Sequence, residues 1–336
     1  MRLSPFVKTR QVFLVLVISF FLTLSVAATE SKLPSPLDIE TALSFARQHP
    51  RARLDLNQQR LIPRRQSLFL NCHDVSYNNT DKIDNQRNRT ETPLVKPVDQ
   101  QKLYILQTFF DVLLADSNLI GINEDMAGAY IAYDRAKTRQ EYKQLSELVV
   151  AKLEAEYQEV RQQFFSGEAA QRLTRAQLAN AINHPNELSS ELNPPVLIKP
   201  PQQLPDADTL YQQALRDNAW IKQLNSDNNN DVKRLIQMEL RQEILELILR
   251  LKILAAAKQR AETQSYRRDL DLEMSRSLYD MEVKASLGRS MTLQSKARME
   301  EERIGYCQTL TWSKLNALRG LPLLTPPLQD KKEQSE

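Results

Sequence analysis

The sequence predicts an all-α protein: long antiparallel coiled-coil helical hairpins in two tandem repeats, with at most a minor β element. Three observations predict it. Prolines are absent between Val98 and His184 and between Asp206 and Leu321, stretches of 87 and 116 residues. Proline in a helix interior costs roughly 3 kcal/mol, so proline-free stretches rich in Glu, Gln, Lys, Arg, Leu and Ala read as long helices. Leu240, Ile244, Leu247, Leu251 and Leu254 recur at +4, +3, +4, +3, the seam of a coiled coil. Alternating β-branched segments, which strands need, are scarce.

Residues 1–28 read as a signal peptide. Arg2, Lys8 and Arg10 precede the apolar run Val12 to Ala28, which closes on Ser25-Val26-Ala27-Ala28. Small side chains at −3 and −1 fit a signal peptidase, with cleavage after Ala27 or Ala28. At about 17 residues the run is at the lower limit for a membrane anchor, the competing reading. No other stretch reaches 18 apolar residues.

Residues 29–184 form the first helical repeat, with an irregular polar insert at 64–97. Only Ser67 to Tyr77 alternates enough to suggest a strand there. The insert carries Cys72; the other cysteine is Cys307. An oxidising compartment permits one disulfide joining the halves, and two isolated thiols are an equally good reading. Asn78-Asn79-Thr80 and Asn88-Arg89-Thr90 are glycosylation sequons, relevant only in a eukaryotic secretory pathway. Within the first long stretch, Leu145, Leu148, Lys152, Ala155 and Glu159 give a polar seam. No glycine marks its turn, which is expected near Leu148 to Lys152.

Residues 185–205 form a linker carrying Pro185, Pro194, Pro195, Pro200, Pro201 and Pro205. The second repeat spans 206–322. Its strong seam is followed by a weaker one, Ile304, Thr311, Leu315 and Leu318. Between them Leu287-Gly288-Arg289-Ser290 predicts the hairpin turn. Helices of this length, roughly 80 Å for 55 residues, must pack on a hairpin partner or another subunit. Residues 323–336 are expected to be a disordered tail.

The two halves read as a duplication. Leu173, Thr174, Leu178 and Pro185 align with Leu310, Thr311, Leu315 and Pro322 at an offset of 137 residues, as do Arg139 and Tyr142 with Arg276 and Tyr279.

Composition excludes whole function classes. Without residues 1–28, which hold three bases and no acid, 42 basic residues face 42 acidic ones. No surplus positive field is left to neutralise phosphates, so no nucleic-acid partner is expected. Six glycines and the absence of any phosphate-loop motif exclude the usual nucleotide sites. The histidines, His49, His73 and His184, stand at no metal-ligand spacing, and no cofactor is expected. Glu239, Glu243 and Glu246 flank the leucine seam beside Arg241 and Arg250, the pattern of a solvated coiled-coil flank rather than an acid–base pair. No catalytic residues are expected.

The residues carry a resemblance. Pro36-Leu37-Asp38-Ile39-Glu40-Thr41-Ala42-Leu43-Ser44-Phe45-Ala46-Arg47-Gln48-His49-Pro50 resembles the first helix of TolC-type outer-membrane efflux proteins and its closing Asn/His-Pro. Leu204-Pro205 with Leu210 to Asn218 resembles the start of that family's second repeat. Tyr279, Gly288, Ser290, Leu293 and Ala297-Arg298 resemble its helix–tip–helix pattern, and Leu310, Leu315 to Leu318 and Gly320 its closing turn. The resemblance implies an exported protein of a Gram-negative-type cell envelope, in the periplasm or outer membrane. It implies a homotrimer forming a helical tunnel, strands added to a shared outer-membrane barrel, and tips docked on a periplasmic adaptor and an inner-membrane pump. Two departures stand out. Ala219 occupies the place of the family's usual proline, and residues 225–240 offer the polar run Asn225-Ser226-Asp227-Asn228-Asn229-Asn230 instead of a strand pair.

The expected function is therefore a conduit for transport across the envelope, with a periplasmic coiled-coil scaffold lacking a channel as the alternative. The candidate site residues are the hairpin tips, Leu148, Val149, Val150, Ala151, Leu287, Gly288, Arg289 and Ser290. Apolar groups at an exposed turn invite a partner hairpin; the bland alternative is a tight turn with local packing.

Overall fold

A computed structural model describes residues 33–54, 64–77, 94–185, 191–201, 203–226, 229–281 and 287–327. The expected signal peptide and both sequons lie outside the described residues. The chain from Ser35 onward forms one compact unit. Its helices are α1 (Ile39–Ser44), α2 (Cys72–Tyr77), α3 (Pro97–Glu141), α4 (Glu147–Ala181), α5 (Ala207–Asp217), α6 (Ala219–Leu224), α7 (Asn230–Asp280) and α8 (Leu287–Arg319). Short 3₁₀ turns at Phe45–Arg47 and Pro50–Ala52 follow α1. Among the described residues no strand forms; Leu37 and Leu192 make a single parallel bridge.

The four long helices form a layer in the order α4, α3, α8, α7, each antiparallel to its neighbour. Gln171 on α4 reaches Asp116 on α3 at 2.7 Å. Ser117 on α3 donates to Glu302 on α8 at 3.0 Å. Lys258 on α7 meets Glu301 on α8 at 2.8 Å. At about 1.5 Å per residue, the 51 residues of α7 span roughly 76 Å.

The leucine seam is the core of the second hairpin. Leu240, Ile244, Leu247, Leu251 and Leu254 are all buried, as are Ile304, Thr311, Leu315 and Leu318 opposite. Each such Leu or Ile contributes about 1.5–3 kcal/mol by leaving water. The base of this hairpin gains cover from Leu210, Tyr211 and Ala214 of α5 and Ile221 of α6.

In the first hairpin the seam runs elsewhere than the sequence predicts. Leu148, Lys152, Ala155 and Glu159 are exposed. A line of covered positions on α4 runs through Val150, Leu153, Tyr157, Val160, Phe164, Gly167, Gln171, Thr174 and Leu178, an unbroken alternation of +3 and +4. Two of them, Gly167 and Thr174, carry little or no hydrocarbon, so the seam is visible only with its partner beside it. Gly167 lets Leu119 and Ile122 of α3 approach, at 3.2 and 3.4 Å from where a Cβ would stand.

The expected strand at 67–77 is not formed. The Asp111 carboxylate, fully buried on α3, accepts the backbone N–H groups of Leu68, Phe69 and Leu70 at 2.8, 2.8 and 3.0 Å. These donors are satisfied by one side chain instead of a ladder, and the chain then turns into α2. Cys72 of α2 is disulfide-bonded to Cys307 of α8, with Cα atoms 5.3 Å apart. That settles the two readings of the cysteines in favour of the bridge.

The linker is ordered where it is described. Ile198 donates its N–H to Thr309 Oγ1 at 3.2 Å, and Leu197 lies 2.8 Å from where a Cβ on Gly305 would stand. Glycine at 305 admits this close crossing over α8. Residues 323–327, within the expected tail, pack on α8. Leu323 is buried, and the Asn316 carboxamide donates to the carbonyls of Leu323 and Thr325. Residues 328–336 lie outside the described residues.

Candidate functional site

The ends of α3 and α4 fix one tip. Tyr142 to Ser146 make the turn, with Lys143 at a positive φ of 59°. Gln144 N–H donates to Arg139 and Lys143 N–H to Gln140, closing the helix end with a left-handed residue. The turn therefore falls before the expected Leu148 to Lys152, which begin α4. A lysine in the left-handed region gives no signal of the kind a glycine gives.

Of the expected tip residues, Leu148 is 80% exposed, and Val149 and Ala151 are also open to solvent. Val150 points into the hairpin and is buried. With Tyr142, these leave an apolar apex. In the second hairpin the expected turn at Gly288 is not a turn. Gly288 is helical, in the first turn of α8, and the link between α7 and α8 is 281–286, of which 282–286 lie outside the described residues. Gly288 and Arg289 are exposed, while Ser290 is joined to Ser275 across the hairpin at 2.6 Å. The side chain of Leu287 lies outside the described residues. The antiparallel pairings place the start of α8 and the start of α4 at the same end of the layer.

The outer flank of α7 was not singled out from the sequence. Met238, Leu245, Leu249, Tyr266, Leu270 and Met274 are all exposed. They run along the exposed side of α7 as a second apolar stripe, interrupted between Leu249 and Tyr266 by Lys252, Gln259 and Thr263. On α4, the opposite border of the layer, Phe165 and Leu173 are exposed. The sequence does hold a signal for this: Leu245 and Leu249 sit one residue beyond Ile244 and Ile248, so α7 is apolar on more than one side.

The two repeats meet along α3 and α8. Near their base Phe110 stacks on Tyr306 at 4.5 Å, and burial pushes the Tyr306 phenol well above its ordinary value. Toward the tips the contact becomes polar. Glu124 accepts from Ser295 at 3.1 Å, Asp125 accepts from Thr292, and Lys296 stands 3.8 Å from Asp125. Burial raises the Asp125 carboxyl above the usual range against the opposing pull of Lys296, with Glu124 adding to the rise. The carboxylates beside the leucine seam are structural. Glu243 pairs with Lys314 at 2.5 Å and Glu246 with Arg250 at 2.5 Å.

Two of the three histidines sit at the base. His49 Nε2 bonds the Asn180 carbonyl at 3.1 Å, and the His184 ring rests edge-on against Phe45 at 4.9 Å. Among the described residues no cluster of three metal-binding side chains forms. What the arrangement can do is geometric: present a layer of four long helices with apolar side chains exposed on α7 and α4 and an apolar apex.

No protein-family model and no curated relative matches the sequence. Solved structures do. The chain superimposes on CusC, described with folding and transmembrane channel formation, with a TM-score of 0.51 and 11% identity over 84% of this chain and 95% of that one. It also matches the CmeC outer membrane channel of Campylobacter jejuni, with a TM-score of 0.46 and 12% identity over 70% of this chain. A third match is the outer membrane protein VceC of Vibrio cholerae, with a TM-score of 0.46 and 8% identity over 68% of this chain. The chain spans 65% of the CmeC chain and 71% of VceC. At 11% identity the likeness to CusC is one of architecture: the chain shares that fold and is helical throughout its described elements.

Proposed function

We propose that the protein is an envelope transport component in which several copies join edge to edge into a helical conduit. The observation that carries this reading is the open layer itself. A sheet of helices one element thick cannot cover both borders of its own hairpins, and α7 leaves the stripe Met238, Leu245, Leu249, Tyr266, Leu270 and Met274 in solvent. A second copy contributing its α4 border would cover that stripe, and repeated around an axis the same contact closes a ring. Three copies are the number the family resemblance implies. The apolar apex at Tyr142, Leu148 and Val149 would then face a partner helix hairpin, in the place where the resemblance puts a periplasmic adaptor and an inner-membrane pump.

One observation favours the second reading, a brace without a membrane pore. Only residues 225–229 link α6 to α7. Two membrane-spanning strands of about 9–11 residues each do not fit in that link.

The test is fractionation of the exported protein, followed by single-channel recording in a planar bilayer. An oligomer in the outer membrane that conducts supports the conduit. A soluble oligomer without conductance supports the brace. A monomer overturns both.

A further inference from the structure

The two repeats close on their long return helices with different side chains doing one job. In the second repeat Asn218 caps α6: its Oδ1 accepts the N–H groups of Trp220 and Ile221, at 2.9 and 3.3 Å. Its Nδ2 donates to the carbonyls of Ala317 and Leu318 at the end of α8, at 3.1 and 2.9 Å. In the first repeat His49 caps the 3₁₀ turn: its Nδ1 accepts the Arg51 N–H at 3.2 Å. Its Nε2 bonds the Asn180 carbonyl at the end of α4, at 3.1 Å. Asn180 and Ala317 are equivalent at the offset of 137 residues found in the sequence.

Both imidazole nitrogens are therefore committed. One accepts and one donates, which only the neutral ring protonated at Nε2 can do. A second proton would turn Nδ1 into a donor facing the Arg51 N–H. It would also place a positive charge among guanidinium groups. Arg51 stands on the same turn. Arg64, from the segment before α2, rests over the Tyr104 ring of α3 at 4.9 Å. Arg65 and Asp111 act on that tyrosine as well, and His184 lies beyond, on Phe45. Burial lowers the basicity of His49, with Arg51 and Arg64 acting in the same direction and the Asn180 carbonyl opposing.

We propose that His49 makes the junction of the first repeat acid-labile, while Asn218 holds the equivalent junction of the second repeat at any pH. The device stands on the protomer alone and does not depend on how copies assemble. Its sign follows from the neutral ring being the bonded form. The folded chain resists the proton that the unfolded chain accepts at the ordinary histidine value. The cap is thus intact above that value and is lost as pH falls through the lowered one. Mild acidification would release the Pro50–Ala52 turn from the end of α4 and leave Asn218 on α8.

Hydrogen–deuterium exchange of the full chain tests it, at about pH 7.5 and about pH 5.5, either side of the ordinary histidine value. Rates are corrected for the intrinsic pH dependence of exchange. Peptides over 39–54 and 176–184 report the first junction, and those over 207–224 and 313–321 the second. The expected result is roughly fivefold more opening of the first junction at the lower pH, the scale of a lost helix cap, with the second unchanged. His49→Asn, which copies the second repeat, should remove the pH response, and His49→Ala should open the junction at both values. Equal pH responses at the two junctions overturn the proposal. So does no response in the wild type, or a response that survives in His49→Asn.

Discussion

Asn183 and Gly320 close equivalent helices in the same left-handed conformation, with φ of 66° and 77°. They are 137 residues apart, the offset of the duplication. Around each, the next N–H reaches back five residues: His184 to Ala179 and Leu321 to Asn316. The duplication is thus written in backbone conformation as well as in side chains. The two positions differ in tolerance. A Cβ on Gly320 would stand 3.1 Å from Asn218 Cα, and a left-handed alanine is strained by about 1–2 kcal/mol besides. Gly320→Ala is expected to lower the thermal midpoint clearly, while Asn183→Gly should leave it unchanged or higher. Calorimetry of the two variants checks this.

The Cys72–Cys307 bridge ties the insert to α8 across 235 residues of chain. A bridge that closes so long a loop contributes about 2–4 kcal/mol. Cys72→Ser and Cys307→Ser are each expected to lose that much in denaturant unfolding. The wild type with reductant should match them, and the reductant should leave the variants unchanged.

Asp111 holds three backbone N–H groups with one carboxylate. Removing it leaves buried donors without a partner, a loss on the order of 3 kcal/mol. Asp111→Ala should destabilise the chain by that much and expose the segment 64–77 to limited proteolysis. Asp111→Asn keeps an acceptor for part of the set and should fall between.

Asp125 faces Thr292 and Lys296 across the junction of the repeats. Its carboxyl is raised, so the folded state favours the protonated form. Its contribution to stability is present below the ordinary carboxylate value and is lost as pH rises through the raised one. Asp125→Asn is therefore expected to be more stable than wild type at neutral pH, with the difference vanishing in acid. Melting curves across pH read the difference directly.

The legible part of this chain was the part written in hydrocarbon. The seam from Leu240 to Leu254 predicted the second hairpin because each of its five inward positions is a leucine or isoleucine. The first hairpin carries Gly167 and Thr174 in its seam, whose meaning depends on Leu119 and Ile122 across the gap. Period alone therefore selected the wrong face. The turn at Lys143 was invisible for a related reason: a non-glycine residue in the left-handed region is chosen by its surroundings. The insert read as a strand because Ser67 to Tyr77 alternates, yet a buried carboxylate 40 residues on takes the hydrogen bonds a strand would need. Of the tip residues, Leu148 and Val149 are exposed, while Val150 is buried and Ser290 bonds Ser275 across the hairpin. The apolar border of α7 stayed hidden because its residues lie next to the seam and merge with it in sequence.

Edge-to-edge assembly is the central claim, and a cross-link tests it most directly. Gln171, Asp116, Ser117, Glu302, Glu301 and Lys258 mark one level across the four helices. Phe165 stands six residues toward the tip from Gln171, and Tyr266 eight from Lys258. The two exposed aromatics therefore lie at nearly one height on opposite borders of the layer. A Phe165→Cys, Tyr266→Cys double variant, oxidised and run without reductant, is predicted to give closed covalent oligomers of one size. Leu245→Glu with Leu249→Glu should abolish them while the protomer stays helical. A chain that remains monomeric, or cross-links into an open ladder of sizes, would contradict the account.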